Sequence, residues 1–148
     1  MVLVYREKYT QGFTLVEILL VVLIIGVISA MVVPNLAGRG EQARRSIARA
    51  DIDTNLDSSL GMYELDNGKY PTTDQGLAAL LQKPAIEPVP GNWNGPYLKK
   101  KAVPKDPWGR DYVYRSPGVH NSEGYDLSSV GPDGVESADD IVNWQEEL

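Results

Sequence analysis

From Phe13 to Val33 the chain reads FTLVEILLVVLIIGVISAMVV, 21 residues in which Glu17 is the only charge. As a helix rising about 1.5 Å per residue, this stretch measures roughly 31 Å, the thickness of the hydrocarbon core of a bilayer. It is apolar on every face, whereas a helix of a small soluble domain keeps one polar side. The apolar region of a secretory signal peptide is usually roughly 7 to 15 residues and ends at small residues of the Ala-x-Ala kind; this run is longer and has no such end. A carboxylate at membrane depth costs about 2.5 to 3.5 kcal/mol, so Glu17 calls for either a cationic partner or a place at the interface.

Downstream the pattern changes. Pro34, Gly38 and Gly40 are weak helix formers that permit a kink or local melting, giving a two-part helix. From Glu41 the chain is amphipathic: Ile52, Leu56, Leu60 and Tyr63 fall on one stripe, with Asp51, Asp53 and Asp57 largely off it. Asp66-Asn67-Gly68 predicts the helix end. Asp74 to Leu81 predicts a short second helix, and Lys83 to Gly95, with Pro84, Pro88, Pro90 and Gly91, predicts an ordered loop. Lys99, Lys100 and Lys101 read as a solvated basic edge, with contact to an acidic neighbouring subunit as the alternative. Asp111–Arg115, Tyr125–Val130 and Ile141–Trp144 read as short strands, with Trp108, Tyr112, Tyr114, Tyr125 and Trp144 as packing aromatics. The expected fold is α+β: a long amino-terminal helix, half membrane-embedded and half amphipathic, packed on a small antiparallel sheet.

Composition narrows the function. At 148 residues the chain suits one compact domain, and without cysteine it has neither disulfides nor thiolate metal sites. A net charge of −6 with no clustered Lys/Arg face argues against nucleic-acid binding. His120, the sole histidine, sits in a polar loop and reads as solvated. There is no G-x-S-x-G, no H-E-x-x-H and no phosphate-cradling loop, so the chain does not read as an enzyme.

The segment MVLVYREKYTQG ahead of the helix, and the junction Gly12-Phe13-Thr14-Leu15-Val16-Glu17, resemble the type III signal of type IV pilins and pseudopilins. YPTTDQGLAAL at Tyr70 to Leu80, GPYLKK at Gly95 to Lys100, PKDPWGRDYVYRSPG at Pro104 to Gly118, YDLSSVGPDG and DIVNW resemble the major pseudopilin of type II secretion across essentially the whole chain. The resemblance implies a pilin-like fold with a leader at 1–12, a transmembrane and fibre-core helix at 13–33 and a periplasmic globular domain at 34–148. It implies that a prepilin peptidase cuts between Gly12 and Phe13 and methylates the new amine, leaving 136 residues. The Phe13 amine of one subunit and Glu17 of a neighbour would then pair inside a fibre. The implied partners are other copies of the chain, minor pseudopilins, an inner-membrane assembly platform with its secretion ATPase, and lipid before assembly. The implied place is the bacterial inner membrane. Arg6 and Lys8 before the helix, against Arg39, Arg44, Arg45 and Arg49 after it, give a charge bias that points the other way. A type IV pilin or minor pilin used in adhesion, motility or DNA uptake shares the amino-terminal features.

The loop from Val130 to Asp140 gathers four carboxylates within eight residues, from Asp133 to Asp140. Spacing alone fits a solvated acidic loop, and it does not match the EF-hand pattern. The resemblance implies Ca²⁺ held there by the side chains of Asp133, Asp139 and Asp140 and the carbonyl of Val130, with Ser137 or a carbonyl near Asn143 as further candidates.

Overall fold

A computed structural model describes residues 12–145, with backbone alone for 31–38. The expected leader, residues 1–12, therefore lies outside the described residues except for Gly12. The chain divides into two compact units, Met1–Gly40 and Glu41–Leu148.

Helix α1 covers Leu15–Ala50. Its helical assignment continues through Pro34, Gly38 and Gly40; a proline removes one rung of the hydrogen-bond ladder and leaves the others in place. The departure from α geometry comes later, in a π-helical segment at Asp51–Leu56 that leads into α2, Asp57–Asn67. The reason lies in the stripe. Ala48, Ile52, Leu56 and Leu60 are each four residues apart, and all are fully buried. In an α-helix a four-residue step overshoots one turn by about 40°, so the stripe would wind away from the core. A wider π turn takes up that overshoot and keeps Ile52 and Leu56 on the core side. The helix ends where Gly68 adopts φ 74°, ψ 5° and donates its N–H to the Glu64 carbonyl at 2.6 Å, a left-handed cap that glycine adopts without strain.

The predicted helix over 74–81 is shorter than expected. Gly76, at φ 58° and ψ −169°, is not helical, so only Leu77–Leu80 wind, as a 3₁₀ turn. Gln75 is buried and bridges outward, its Nε2 donating to the carbonyls of Ile86 (2.8 Å) and Pro88 (3.0 Å), which orders the proline-rich loop.

The three strands form one antiparallel sheet in the order β1-β2-β3: β1 is Val113–Arg115, β2 Asp126–Ser129 and β3 Ile141–Val142. Tyr114 pairs with Leu127, and Ser129 with Ile141. All are shorter than predicted, and side chains supply some of the bonds at their ends. Asn143, for example, accepts the Leu127 N–H through its Oδ1 and donates to the Tyr125 carbonyl. The helix stripe meets Leu77, Leu80, Tyr112, Tyr114, Tyr125, Leu127 and Ile141 in one core. Each fully buried Leu or Ile contributes about 1.5 to 3 kcal/mol. The acids flanking the stripe hold tyrosines: Tyr112 donates to Asp51 (3.0 Å) and Tyr125 to Asp57 (2.6 Å). Burial first, and then these carboxylates, push both phenols well above their ordinary pKa. Trp144 does not join the core. It is half-buried and stacks on His120, ring centroids 4.1 Å apart.

Candidate assembly segment and acidic loop

At the amino terminus, Gly12 is exposed and precedes the helix. Thr14 caps it: Thr14 Oγ1 and the Thr14 carbonyl both accept the Glu17 N–H, at 3.2 and 3.1 Å. Thr14-x-x-Glu17 is thus the start of a capping box, a signal legible in the sequence but not used above. Glu17 is exposed, and so are the large apolar side chains around it, from Phe13 at 77% to Ile28 at 55%. No helix among the described residues is long and apolar enough to cross a membrane; the last part of the expected span, 31–33, lies among residues whose side chains are not described.

At the other end, the acidic loop brings its carboxylates together. Ligand oxygens of Asp133, Asp139 and Asp140 all lie within 4.8 Å of one another. Gly131 (φ 64°) and Gly134 (φ 75°) provide the two left-handed turns that fold the loop back. Ser137 Oγ donates to Asp139 Oδ1 at 2.5 Å and lies 3.5 Å from Asp140 Oδ1. The Ser137 hydroxyl, and then Arg45, hold the Asp139 carboxyl below the usual range; burial and the charges of Asp133 and Asp139 push that of Asp140 up. Three convergent carboxylates, one of them raised by burial and then by its neighbours' charges, form a donor set suited to a hard cation. The fourth acid, Glu136, is exposed and is not one of the three.

The supports of this loop were missed in the sequence. Asp106 is buried, accepts from Ser129 Oγ (2.7 Å) and from the N–H groups of Trp108 (3.1 Å) and Arg110 (2.8 Å), and so fixes the turn Asp106-Pro107-Trp108-Gly109. That turn aims Arg110, whose Nη1 donates to the Gly131 carbonyl at 2.6 Å. A Cβ at Gly134 would lie 2.5 Å from Arg110 Nη2, so glycine there leaves room for the guanidinium. From the helix, Arg45 reaches Asp139 and Arg49 donates to the Val142 carbonyl at 2.7 Å. The Asp-Pro-x-Gly turn was readable. The reach of the arginines was not, since nothing in the sequence pairs position 45 with 139.

His120 is more engaged than a solvated residue: its Nδ1 lies 3.1 Å from Asp126 Oδ2 while its side chain stays about half exposed. Asp126 also accepts the N–H groups of Val119, His120 and Asn121, so the carboxylate orders the loop around it. Lys99, Lys100 and Lys101 are exposed.

Comparison with known proteins agrees with these features. The family described as Type II secretion system (T2SS), protein G matches residues 35–144, and the Prokaryotic N-terminal methylation motif matches residues 8–33. The Escherichia coli K12 type II secretion system core protein G is 49% identical over 136 residues, covering 90% of each chain. The Vibrio cholerae protein of that name is 48% identical over 144 residues, covering 94% of each. The crystal structure of the major pseudopilin from the type 2 secretion system of enterohaemorrhagic Escherichia coli is 46% identical, with a TM-score of 0.65, covering 76% of this chain and 92% of that one. Helices on a three-stranded antiparallel sheet are therefore the pilin-like architecture expected. With its family match, these identities and this fold, the chain belongs to the type II secretion system protein G family, the major pseudopilins.

Proposed function

We propose that this chain is the major subunit of a periplasmic pseudopilus, polymerising from the inner membrane to drive folded proteins across the outer membrane. The observation that carries the reading is the first half of α1, whose large apolar side chains from Leu15 to Ile28 are exposed, within the segment that matches the methylation motif at residues 8–33. Such a surface leaves lipid only by packing against other copies of itself. The chain acts mechanically, with the assembly platform, ATPase, minor pseudopilins and prepilin peptidase as its partners. Residues 13–33 hold the subunit in the inner membrane before assembly.

Processing falls between Gly12 and Phe13. Nothing among the described residues lies within 4 Å of a Cβ built on Gly12, so the demand for glycine there comes from the peptidase. Mass spectrometry of the membrane-extracted protein should find Phe13 at the amino terminus, methylated. Functional subunits that retain residues 1–12 would overturn this reading. A charged residue in place of Gly12 should leave the leader on.

In the acidic loop, Asp133, Asp139, Asp140 and the Val130 carbonyl hold Ca²⁺, with the Ser137 hydroxyl nearby. The ion neutralises the convergent carboxylates and fixes the loop for contacts between subunits. An ion bound only by the folded state adds about 2.7 kcal/mol at a hundredfold excess over Kd, which raises the melting temperature by about 10 °C for a domain of this size. The processed protein should therefore melt higher with Ca²⁺ than with chelator, and Asp133→Ala should melt alike in both. Equal wild-type melting in the two conditions removes calcium from the account.

A further inference from the structure

The acidic loop already holds one cation. Arg45, on α1, places Nη2 2.7 Å from Asp139 Oδ2 and Nη1 3.0 Å from the Asp139 carbonyl oxygen. With Ser137 on Oδ1, both oxygens of the Asp139 carboxylate are engaged. Asp133 and Asp140 have no salt-bridge partner among the described residues. The guanidinium thus neutralises one carboxylate of three.

A second acceptor waits for the same guanidinium. Glu41, one helical turn back, has its Oε1 3.6 Å from Arg45 Nε, too long for a hydrogen bond. That oxygen is buried and has no hydrogen-bond partner. Glu41 is held in place through its other oxygen, which accepts from Trp108 Nε1 at 3.3 Å. A buried unpaired acceptor beside a guanidinium donor is an unfinished contact, and completing it recovers a desolvation penalty. Arg49 provides the contrast. It reaches the same end of the chain, but its partner is the Val142 carbonyl, outside the carboxylate cluster.

We propose that Arg45 is the internal counter-cation of the ion-free loop, and that a divalent cation bound by Asp133, Asp139 and Asp140 displaces it from Asp139 onto Glu41. This inference rests on the calcium reading above. The magnitudes favour the exchange. An exposed ion pair such as Arg45–Asp139 is weak and screened, whereas a divalent ion interacts with three carboxylates at once. Arg45 therefore tunes the affinity rather than blocking the site. Ion binding also rearranges charge on the helix surface, so the state of the loop is communicated to α1.

The experiment is calorimetric titration of CaCl₂ into processed full-length protein in detergent, after chelation, with melting curves in both states. Arg45→Gln should bind Ca²⁺ about tenfold more tightly than wild type, since a positive charge next to a ligand is removed. Its melting temperature should fall in chelator and match wild type in Ca²⁺. Arg49→Gln, which removes a charge facing a carbonyl and not a carboxylate, should lower melting in both conditions and should not tighten Ca²⁺ binding. Glu41→Gln should weaken Ca²⁺ binding when Arg45 is present and leave it unchanged in the Arg45→Gln background. Wild-type binding with equal or weaker affinity in Arg45→Gln overturns the counter-cation role and leaves the calcium site standing. A Glu41→Gln effect that persists without Arg45 overturns the transfer to Glu41. Absence of Ca²⁺ binding in both wild type and Arg45→Gln overturns the calcium reading itself, and the exchange with it.

Discussion

Glu17→Ala is expected to leave the subunit processed and inserted, yet reduce crosslinked fibre by about a hundredfold or more. Removing the carboxylate removes its insertion cost of about 2.5 to 3.5 kcal/mol, so membrane retention improves if it changes at all. The helix start survives as well, because Thr14 receives the backbone N–H of residue 17 and not its side chain. The loss falls on assembly. In the proposed fibre core a Phe13 amine without its carboxylate would be a buried unpaired charge, which costs about 3 to 5 kcal/mol. Glu17→Gln should fail almost as badly, since it keeps the shape and the polarity but not the charge. Crosslinking of membranes followed by gel analysis reads the outcome, and wild-type multimers in either variant would rule out the pairing of Phe13 with Glu17.

The second large effect is on folding. Asp106→Ala should destabilise the Glu41–Leu148 unit by about 3 to 5 kcal/mol, the cost of leaving several donors of a buried carboxylate without an acceptor. Ser129 is fully buried, so its hydroxyl has no water to turn to, and the Arg110 N–H loses the bond that shapes its turn. The damage should spread to the acidic loop, because Arg110 is aimed at the Gly131 carbonyl by that turn. Ca²⁺ affinity should therefore fall along with stability, although Asp106 is no ligand. Chemical denaturation, with Asp106→Asn as the milder variant that keeps one acceptor oxygen, measures the first effect. Calorimetric titration measures the second. A stable Asp106→Ala protein with unchanged denaturation midpoint would show that the network is dispensable.

Much of the architecture was legible because its signals are local. The stripe Ile52, Leu56, Leu60 and Tyr63 was read from spacing and is buried as a set. The stop at Gly68 was read from residue type and has the positive φ that glycine permits. The errors also have local causes. The helix expected from Asp74 ignored that Gly76 is as free to leave helical space as to enter it. Residue propensity pointed to Pro34 as the place for a kink, whereas the fault in the α ladder at Asp51–Leu56 follows from the four-residue spacing of the stripe and the need to keep it against one core. Beside β3, Asn143 adds a side-chain bond from the Leu127 N–H to the backbone bond it already makes to Leu127, a choice no strand propensity encodes.

The sequence by itself determined the local and periodic features: an apolar run with one carboxylate inside an N-terminal methylation motif, an amphipathic helix and a cluster of aspartates near the carboxyl terminus. These depend on neighbours within a few residues, where chain geometry alone fixes who meets whom. Tertiary structure decided what the aspartates can do. Asp133 and Asp140 converge with Asp139 because Gly131 and Gly134 turn the loop, Arg110 holds its entrance, and Arg45 and Arg49 tie its far side to the helix. Arg45 and Asp139 are 94 residues apart. A contact at that separation forms only after the core has brought helix and sheet together, since closing so long a loop costs chain entropy that a single exposed ion pair cannot offset.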